Sequence, residues 1–127
     1  MLPKELSYTK EHEWILIGND NLLTIGITDY AQEELGDITF VELPEPGLHI
    51  SAGDSPVTLE SVKAVSSIYA PAAGEIIEVN SRLDDEPELI NNTPYTDGWI
   101  IKIKLTEALE TSLLSPEEYQ GYIDSLD

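Results

Sequence analysis

Lys63 is the residue whose type and setting first suggest chemistry in this chain. It is the only lysine or arginine between Lys10 and Arg82, and no acidic residue stands next to it in the run TLESVKAVSS. A catalytic amine needs a desolvated environment, which a protruding position does not give. An accessible amine can instead be acylated with a cofactor by another enzyme. The pattern alone gives more weight to the alternative, an ordinary solvated lysine.

A β-hairpin with Lys63 and Ala64 as its two-residue loop would hold this lysine in solvent. In that register five rungs join residues of like polarity. The rungs are Val62 with Val65, Ser61 with Ser66, Glu60 with Ser67, Leu59 with Ile68, and Val57 with Ala70. The apolar rungs far from the turn predict a hairpin rooted in the core. Lys and Ala do not easily adopt the positive φ that such turns prefer, so Lys63 needs another reason for its place.

The rest of the chain has short strands separated by Gly, Pro, Asn and Asp, which is typical of a mainly β domain. Strands are predicted at 13–17, 22–27, 37–43, 74–80 and 98–105, and an acidic loop is predicted at 84–94. In the third of these strands, alternation places Ile38 and Phe40 on the same face. The elements predict one domain, residues 1–127, without linkers.

Two short helices are predicted, one near residues 29–35 and one at the C-terminus. The first has Thr28 or Asp29 as its N-cap and Gly36 just past its end. The second begins with a capping box whose N-cap, N1 and N3 residues are Ser115, Pro116 and Glu118.

A short internal echo links two of the predicted strands. GDITFV (36–41) and GEIIEV (74–79) share Gly, an acidic residue, Ile and Val at matching places. A duplicated half-motif would explain this likeness, and so would coincidence between two short strands.

The charge of the chain restricts its partners. Its 127 residues include 25 acidic and 6 basic ones, for a net charge of −19. A phosphate backbone or an anionic membrane requires a positive face, which six scattered cations do not supply. We therefore expect a monomer that binds proteins with basic patches, and neither nucleic acid nor membrane.

Several kinds of chemistry have no support in the sequence. The chain has no cysteine, and His12 and His49 show neither HExxH nor zinc-ligand spacing. No nucleophile-elbow or phosphate-loop motif occurs, so no catalytic residue and no metal ligand is predicted. The absence of a secretory signal and of an apolar run of about 18 residues predicts a cytoplasmic protein, or a mature mitochondrial form.

The segment LESVKAVSSIYAPAAGEIIEVN (59–80) contains Glu-Ser-Val-Lys-Ala, a proline some eight residues after the lysine, Gly-Glu, and a strand ending in Asn. This pattern resembles the lipoyl-lysine segment of the glycine cleavage system H-protein family. Further segments resemble the family in the same order: HEW (12–14), GITDYAQEELGDITFVELPEPG (26–47), NTPYTDGWIIKIK (92–104) and LLSPEEYQGYI (113–123). The resemblance extends over nearly the whole chain.

The resemblance implies a fold, a cofactor and a role. The fold is the barrel-sandwich hybrid of two half-sheets shared by lipoyl and biotinyl carriers. Lipoate would be amide-linked to Lys63, within a recognition context formed by Glu60, Ser61, Val62 and Ala64. The chain would be a non-catalytic carrier of glycine catabolism.

The family's partners follow from the same resemblance. The arm would take an aminomethyl group from the pyridoxal-phosphate-dependent glycine decarboxylase and present it to the tetrahydrofolate-dependent aminomethyltransferase. Dihydrolipoyl dehydrogenase would reoxidise the dithiol, and a lipoate ligase or lipoyl transferase would attach the arm. In the family the loaded arm folds into a surface cleft, where Glu13 is the candidate for a hydrogen bond to the amine. Glu11 replaces a serine that is common in the family.

Four competing roles remain open from the sequence. A biotinyl carrier typically has methionines beside its lysine, whereas Val62 and Ala64 flank Lys63 and the only methionine is Met1. Lipoyl domains of 2-oxoacid dehydrogenases usually have Asp before the lysine. An acidic adaptor without a cofactor, or a relative that mainly relays lipoyl groups to other proteins, would keep the same fold.

Overall fold

Nine short strands form two antiparallel sheets in the computed structural model, which describes residues 2–109 and 113–126. The strands are β1 (Ser7–Tyr8), β2 (Glu13–Ile17), β3 (Leu22–Ile27), β4 (Ile38–Glu42), β5 (His49–Ile50), β6 (Val57–Ser61), β7 (Val65–Ile68), β8 (Gly74–Val79) and β9 (Ile101–Leu105). The larger sheet has the order β1-β2-β3-β9-β8-β5, and the smaller one β4-β6-β7. The predicted mainly β architecture of two half-sheets is confirmed.

The helices of the described ranges are short and lie at the ends of strands. They are α1 (Asp29–Leu35), α2 (Leu89–Asn92) and α3 (Pro116–Asp124), with 3-10 turns at Asn19–Asn21 and Ser81–Asp84. The first predicted cap is confirmed, since Thr28 Oγ1 accepts a hydrogen bond from the Ala31 N–H at 3.2 Å. The capping box of Ser115 and Glu118 at the start of α3 is also confirmed.

The segment 84–94 is not the loop that its charge and its proline predict. It begins inside the second 3-10 turn and contains α2. Leu83 and Ile90, which flank the acidic run, are both fully buried. Burying these two side chains requires the backbone to fold back in short helical turns, a tertiary effect that overrides local propensity.

Residues of both sheets meet in one apolar cluster. Inward positions alternate along β3 and β9, as expected for strands with one face in the core. Fully buried members include Leu23, Ile25, Leu59, Ile68, Ile76, Ile101 and Ile103. Burial of each such side chain contributes roughly 1.5–3 kcal/mol. The β6–β7 hairpin is therefore held at its base by Leu59 and Ile68.

The other face of β1 and β2 is covered by α3. Tyr119 of this helix stacks on Tyr8, with ring centroids 5.0 Å apart, and both pack in one cluster with Trp14. Trp14 covers Gly26 of β3, where a Cβ atom would stand 2.6 Å from the indole ring. The indole N–H donates to the carbonyl oxygen of Pro94 at 2.8 Å. The C-terminal helix is thus an integral layer of the fold.

The internal echo seen in the sequence has a structural counterpart. The pairing of β4 with β6 shifts register between Ile38 and Phe40, and that of β8 with β9 shifts between Ile76 and Glu78. These irregularities fall at matching positions of the two echoing segments. The first one corrects the predicted alternation: Ile38 and Val41 point inward, whereas Phe40 is 48% exposed.

Candidate functional site

The β6–β7 hairpin presents Lys63 at an exposed tip, although the predicted register is wrong. Val57 pairs with Ile68, Thr58 with Ser67, Leu59 with Ser66, and Glu60 with Val65. The two-residue turn is therefore Val62-Lys63 rather than Lys63-Ala64, and each pairing differs from the predicted one by two residues. A slip of two residues leaves every side chain on its original face. The predicted inward residues are accordingly all buried: Val57, Leu59, Ile68 and Ala70.

Ser61 supplies the turn chemistry that the sequence seemed to lack. Its backbone N–H donates to the carbonyl oxygen of Ala64 at 2.9 Å. Its Oγ accepts hydrogen bonds from the backbone N–H groups of Lys63 and Ala64 at 3.2 and 3.1 Å. A serine hydroxyl that satisfies local N–H groups can stabilise a turn without positive φ. The described turn contains no residue of positive φ.

The tip of the hairpin is also attached to the segment that follows α1. The N–H of Val62 donates to the carbonyl oxygen of Asp37 at 3.1 Å. The side chain of Lys63 runs along Gly36, with its Cε 3.4 Å and its Cδ 3.5 Å from where a Cβ would stand. The base of the lysine is thereby fixed on two sides, while the residue stays exposed.

Asn91 holds this supporting segment and was missed by sequence reasoning. Its Nδ2 donates to the carbonyl oxygen of Gly36 and to Gln32 Oε1, both at 2.9 Å. Its Oδ1 accepts the N–H of Ile38 at 2.9 Å. One amide thus fastens both sides of Asp37, the residue that binds the hairpin tip. No local signal marks this role, because Asn91 lies 53 residues beyond Ile38 in the chain.

Gly36→Ala is expected to destabilise the protein and to displace the lysine. Gly36 has φ 77° and ψ −162°, a combination that is essentially restricted to glycine, and an alanine there costs about 1–3 kcal/mol. The new methyl group would also press on the Lys63 stem. Urea unfolding measures the stability, and amide chemical shifts of Val62 and Lys63 report the displacement.

Gly53→Ala is the matched control for that substitution. Gly53 also has positive φ, 88°, but a Cβ there would meet nothing within 4 Å. It should lose stability without shifting the Val62 and Lys63 amides. Equal shifts in both variants would show that the contact between Gly36 and Lys63 does not position the tip.

A groove of about 280 Å³ lies beside the hairpin. One wall is formed by α1 and by Ile27 at the end of β3, and the other walls by β7 and the segment preceding β2. The lining residues are Glu11, His12, Ile27, Tyr30, Ala31, Glu34, Leu35, Ser66 and Ser67. Leu35 directly precedes Gly36, along which the Lys63 stem runs, so an extension of this lysine has a sheltered surface nearby.

Glu13, the first residue of β2, lies buried beside the end of β7, with 2% of its surface exposed. The backbone N–H of Tyr69 donates to its Oε2 at 2.6 Å, and the Thr9 hydroxyl donates to its Oε1 at 3.3 Å. Desolvation raises the pKa of this carboxyl to about 7, although both hydrogen bonds act in the opposite direction. Glu13 thus ties the side of the groove that carries His12 to the hairpin side.

Glu60 is displayed on the outer face of the small sheet. It pairs with Phe40 on one side and with Val65 on the other, and all three residues are exposed. Val65 is 69% exposed and Val62, at the turn, is 66% exposed. The Glu60 carboxylate therefore lies between two apolar side chains near Lys63. Such a mixed polar and apolar surface suits recognition by another protein.

Comparison with known proteins identifies the family of this arrangement. Residues 6–126 match the family described as glycine cleavage H-protein. The chain belongs to the glycine cleavage H-protein family. It is 50% identical over 125 residues to the glycine cleavage system H protein of Alcanivorax borkumensis, covering 98% of this chain and 97% of that protein.

Two further relatives agree with this assignment. The glycine cleavage system H protein of Rubrobacter xylanophilus is 53% identical over 118 residues, which cover 93% of this chain and 91% of that protein. The crystal structure of an H protein from Mycobacterium marinum superposes with a TM-score of 0.90 at 42% identity, over 97% of this chain and 99% of that one. This H-protein family member therefore matches these three relatives over at least 91% of their length.

Two kinds of feature are absent from residues 2–109 and 113–126 of this H-protein family member. No helix there has the length and apolar character needed to cross a bilayer. No three His, Asp or Glu side chains come together there as metal ligands.

Proposed function

We propose that this chain is the lipoyl-bearing carrier of a glycine cleavage system, with lipoate amide-linked to Lys63. The observation that supports the proposal most directly is the placement of Lys63. It occupies an exposed turn whose backbone is fixed by Ser61 and Asp37 and whose strands are anchored in the core. Such a turn offers the amine to a modifying enzyme without requiring any part of the fold to open.

The residues around Lys63 suit an attached arm. When bound, the lipoyl group would supply a dithiolane that can carry the aminomethyl group. The partners would be the pyridoxal-phosphate-dependent decarboxylase as donor and the tetrahydrofolate-dependent aminomethyltransferase as acceptor, with dihydrolipoyl dehydrogenase restoring the disulfide. Lys63 holds the arm, and its stem is directed along Gly36 past the end of α1. A tether of this kind gives each partner's active site a high effective concentration of the cargo.

The groove beside the hairpin is the proposed shelter for the loaded arm. Its walls combine the apolar side chains of Ile27, Ala31 and Leu35 with polar groups from Ser66 and Ser67. Glu13 is the proposed acceptor for the amine, at the boundary between these walls. Because its bond to Thr9 is the longer of its two, that bond would be exchanged first, and the Tyr69 bond would stay.

The exposed face around the lysine is the proposed recognition surface for the lipoate ligase or lipoyl transferase. Ser61 fixes the turn, while Glu60, Val62 and Ala64 are exposed beside Lys63. The net charge of −19 favours encounter with partner enzymes that carry basic patches around their active-site entrances. None of these roles requires a catalytic residue of this chain.

The test of this function is the intact mass of the protein purified from its native source, with peptide mapping of any adduct. A lipoyl increment on Lys63 is the expected result. An unmodified lysine would favour an adaptor without a cofactor, and a biotinyl increment would favour a biotin carrier. Either of these outcomes would overturn the proposal.

A further inference from the structure

The hydroxyl group of Tyr119 joins two residues that are distant from α3 in sequence. Its oxygen lies 2.9 Å from His12 Nδ1 and 2.8 Å from Thr28 Oγ1. Tyr119 and Thr28 are fully buried, and His12 is half-buried. A buried hydroxyl that makes two side-chain hydrogen bonds restrains both partners, since each would otherwise lose a bond in a site that water enters poorly.

Both partners of Tyr119 determine the walls of the groove beside Lys63. The His12 ring lines the groove itself. Thr28 caps α1, and α1 provides Tyr30, Ala31, Glu34 and Leu35 to the opposite wall. The N–H of Thr28 also donates to the carbonyl oxygen of His12 at 3.1 Å, which brings the two walls together at one end.

The conformation of His12 requires restraint from its surroundings. Its φ of 67° lies in the left-handed region, which few non-glycine residues adopt. Its ring contacts those of Tyr30 and Tyr119 at centroid distances of 4.8 and 5.8 Å. The Tyr119 contact includes a hydrogen bond to Nδ1, so this hydroxyl orients the ring nitrogen toward α3.

The hydroxyl of Tyr119 keeps its proton over the physiological range. Desolvation by burial raises its pKa to about 12. The group therefore remains both a donor and an acceptor, and it can link Thr28 and His12 in a continuous chain of two hydrogen bonds. Burial also lowers the pKa of His12, while Glu11 and Glu34 act in the opposite direction.

We propose that Tyr119 is a positioning residue for the groove beside the hairpin, because its hydroxyl fixes His12 on one wall and Thr28, the cap of α1, on the opposite wall. The proposal rests on the proposed function, in which that groove shelters the loaded arm. Tyr119 does not touch the hairpin in this role. It acts from the far side of the sheet, and the C-terminal helix thereby contributes to cargo protection rather than to lipoyl attachment.

Tyr119→Phe removes the hydroxyl and keeps the ring, and Tyr8→Phe is its matched control. Tyr8 is equally buried and stacks on Tyr119, but its hydroxyl donates to the carbonyl oxygen of Pro3 at 2.8 Å instead. Each variant loses one tyrosine hydroxyl from the same aromatic cluster. A general loss of packing or stability would therefore affect both.

The first measurement uses protein without lipoate and does not depend on the carrier role. In Tyr119→Phe, the His12 ring ¹⁵N shifts should move toward those of the exposed His49. Exchange of the Ala31 amide proton should accelerate about fivefold, the factor for one neutral hydrogen bond. Tyr8→Phe should leave both signals unchanged. Unchanged signals in Tyr119→Phe, or equal changes in both variants, would overturn the positioning role.

The second measurement uses protein lipoylated on Lys63 and loaded with the aminomethyl group. Hydrolysis of the loaded arm consumes one water and releases ammonia and formaldehyde, leaving the dithiol. Tyr119→Phe should release ammonia about fivefold faster, with enzymatic lipoyl attachment at the wild-type rate, and Tyr8→Phe should match the wild type in both. Release at the wild-type rate would overturn the link to cargo protection. Failure of the wild type to be lipoylated would instead overturn the proposed function, while the first measurement would still decide the role of Tyr119.

Discussion

Lys63→Arg is expected to abolish glycine-dependent bicarbonate exchange in a reconstituted glycine cleavage system. Arginine keeps the positive charge and a long flexible stem, but its delocalised guanidinium does not replace an amine as the acceptor of an acyl group. Because Lys63 is exposed and an arginine stem can lie along Gly36 as the lysine stem does, stability should change by less than about 0.5 kcal/mol. The expected result is thus complete loss of exchange in a protein that unfolds at the wild-type urea concentration.

Lys104→Arg provides the control for that experiment. Lys104 is also exposed, but it lies on β9, away from the hairpin. This variant should accept a lipoyl increment and support exchange like the wild type. Exchange that persists in Lys63→Arg would remove Lys63 from the mechanism, whatever its fold.

Glu13→Gln should make the protein more stable than the wild type near pH 8, by a margin that shrinks as the pH falls toward 5. The carboxyl has a pKa of about 7 in the folded protein, raised by desolvation from its ordinary value of 4.5. Between these values the folded state binds more protons than the unfolded state, so wild-type stability falls as pH rises. Since one pKa unit corresponds to 1.36 kcal/mol, burying the ionised carboxylate costs the folded state about 3 kcal/mol above pH 7. Glutamine has the same shape, stays neutral and can still accept the Tyr69 N–H.

Urea unfolding of the wild type and the variant across this pH range measures the difference directly. Glu45→Gln is the control, because Glu45 is an exposed carboxylate in a loop. Its stability difference from the wild type should stay constant with pH. If the stability difference between Glu13→Gln and the wild type also stayed constant with pH, burial of the ionised carboxylate would not destabilise the folded protein.

Sequence patterns predict the faces of the β6–β7 hairpin better than its register. Alternation identifies Val57, Leu59, Ile68 and Ala70 as inward, and a slip of two residues preserves that assignment. The register depends instead on the Ser61 hydroxyl and on the bond from Val62 to Asp37. These are a local side-chain contact and a tertiary contact, and hydrophobic periodicity is sensitive to neither.

The groove could not be predicted from the residues that form it. His12, Leu35 and Ser67 come from three separate segments, and only the tertiary fold brings them together around the groove. Glu13 was singled out through family resemblance, but its burial and its bond to Tyr69 follow from the fold. The sequence around Tyr119 predicted helix α3 but not the hydrogen bonds of the Tyr119 hydroxyl, because their partners lie 107 and 91 residues away.

The hydrogen bonds of the hairpin turn have a mechanical consequence for an arm attached to Lys63. With the Ser61 and Asp37 bonds in place, the Lys63 backbone is held like an ordinary strand, and its order parameter should be near 0.85. Freedom of movement then begins at the side-chain torsions. The reactive end of the arm can therefore reach only positions within one arm's length of a fixed point on the protein surface. This region is the same for every partner that docks.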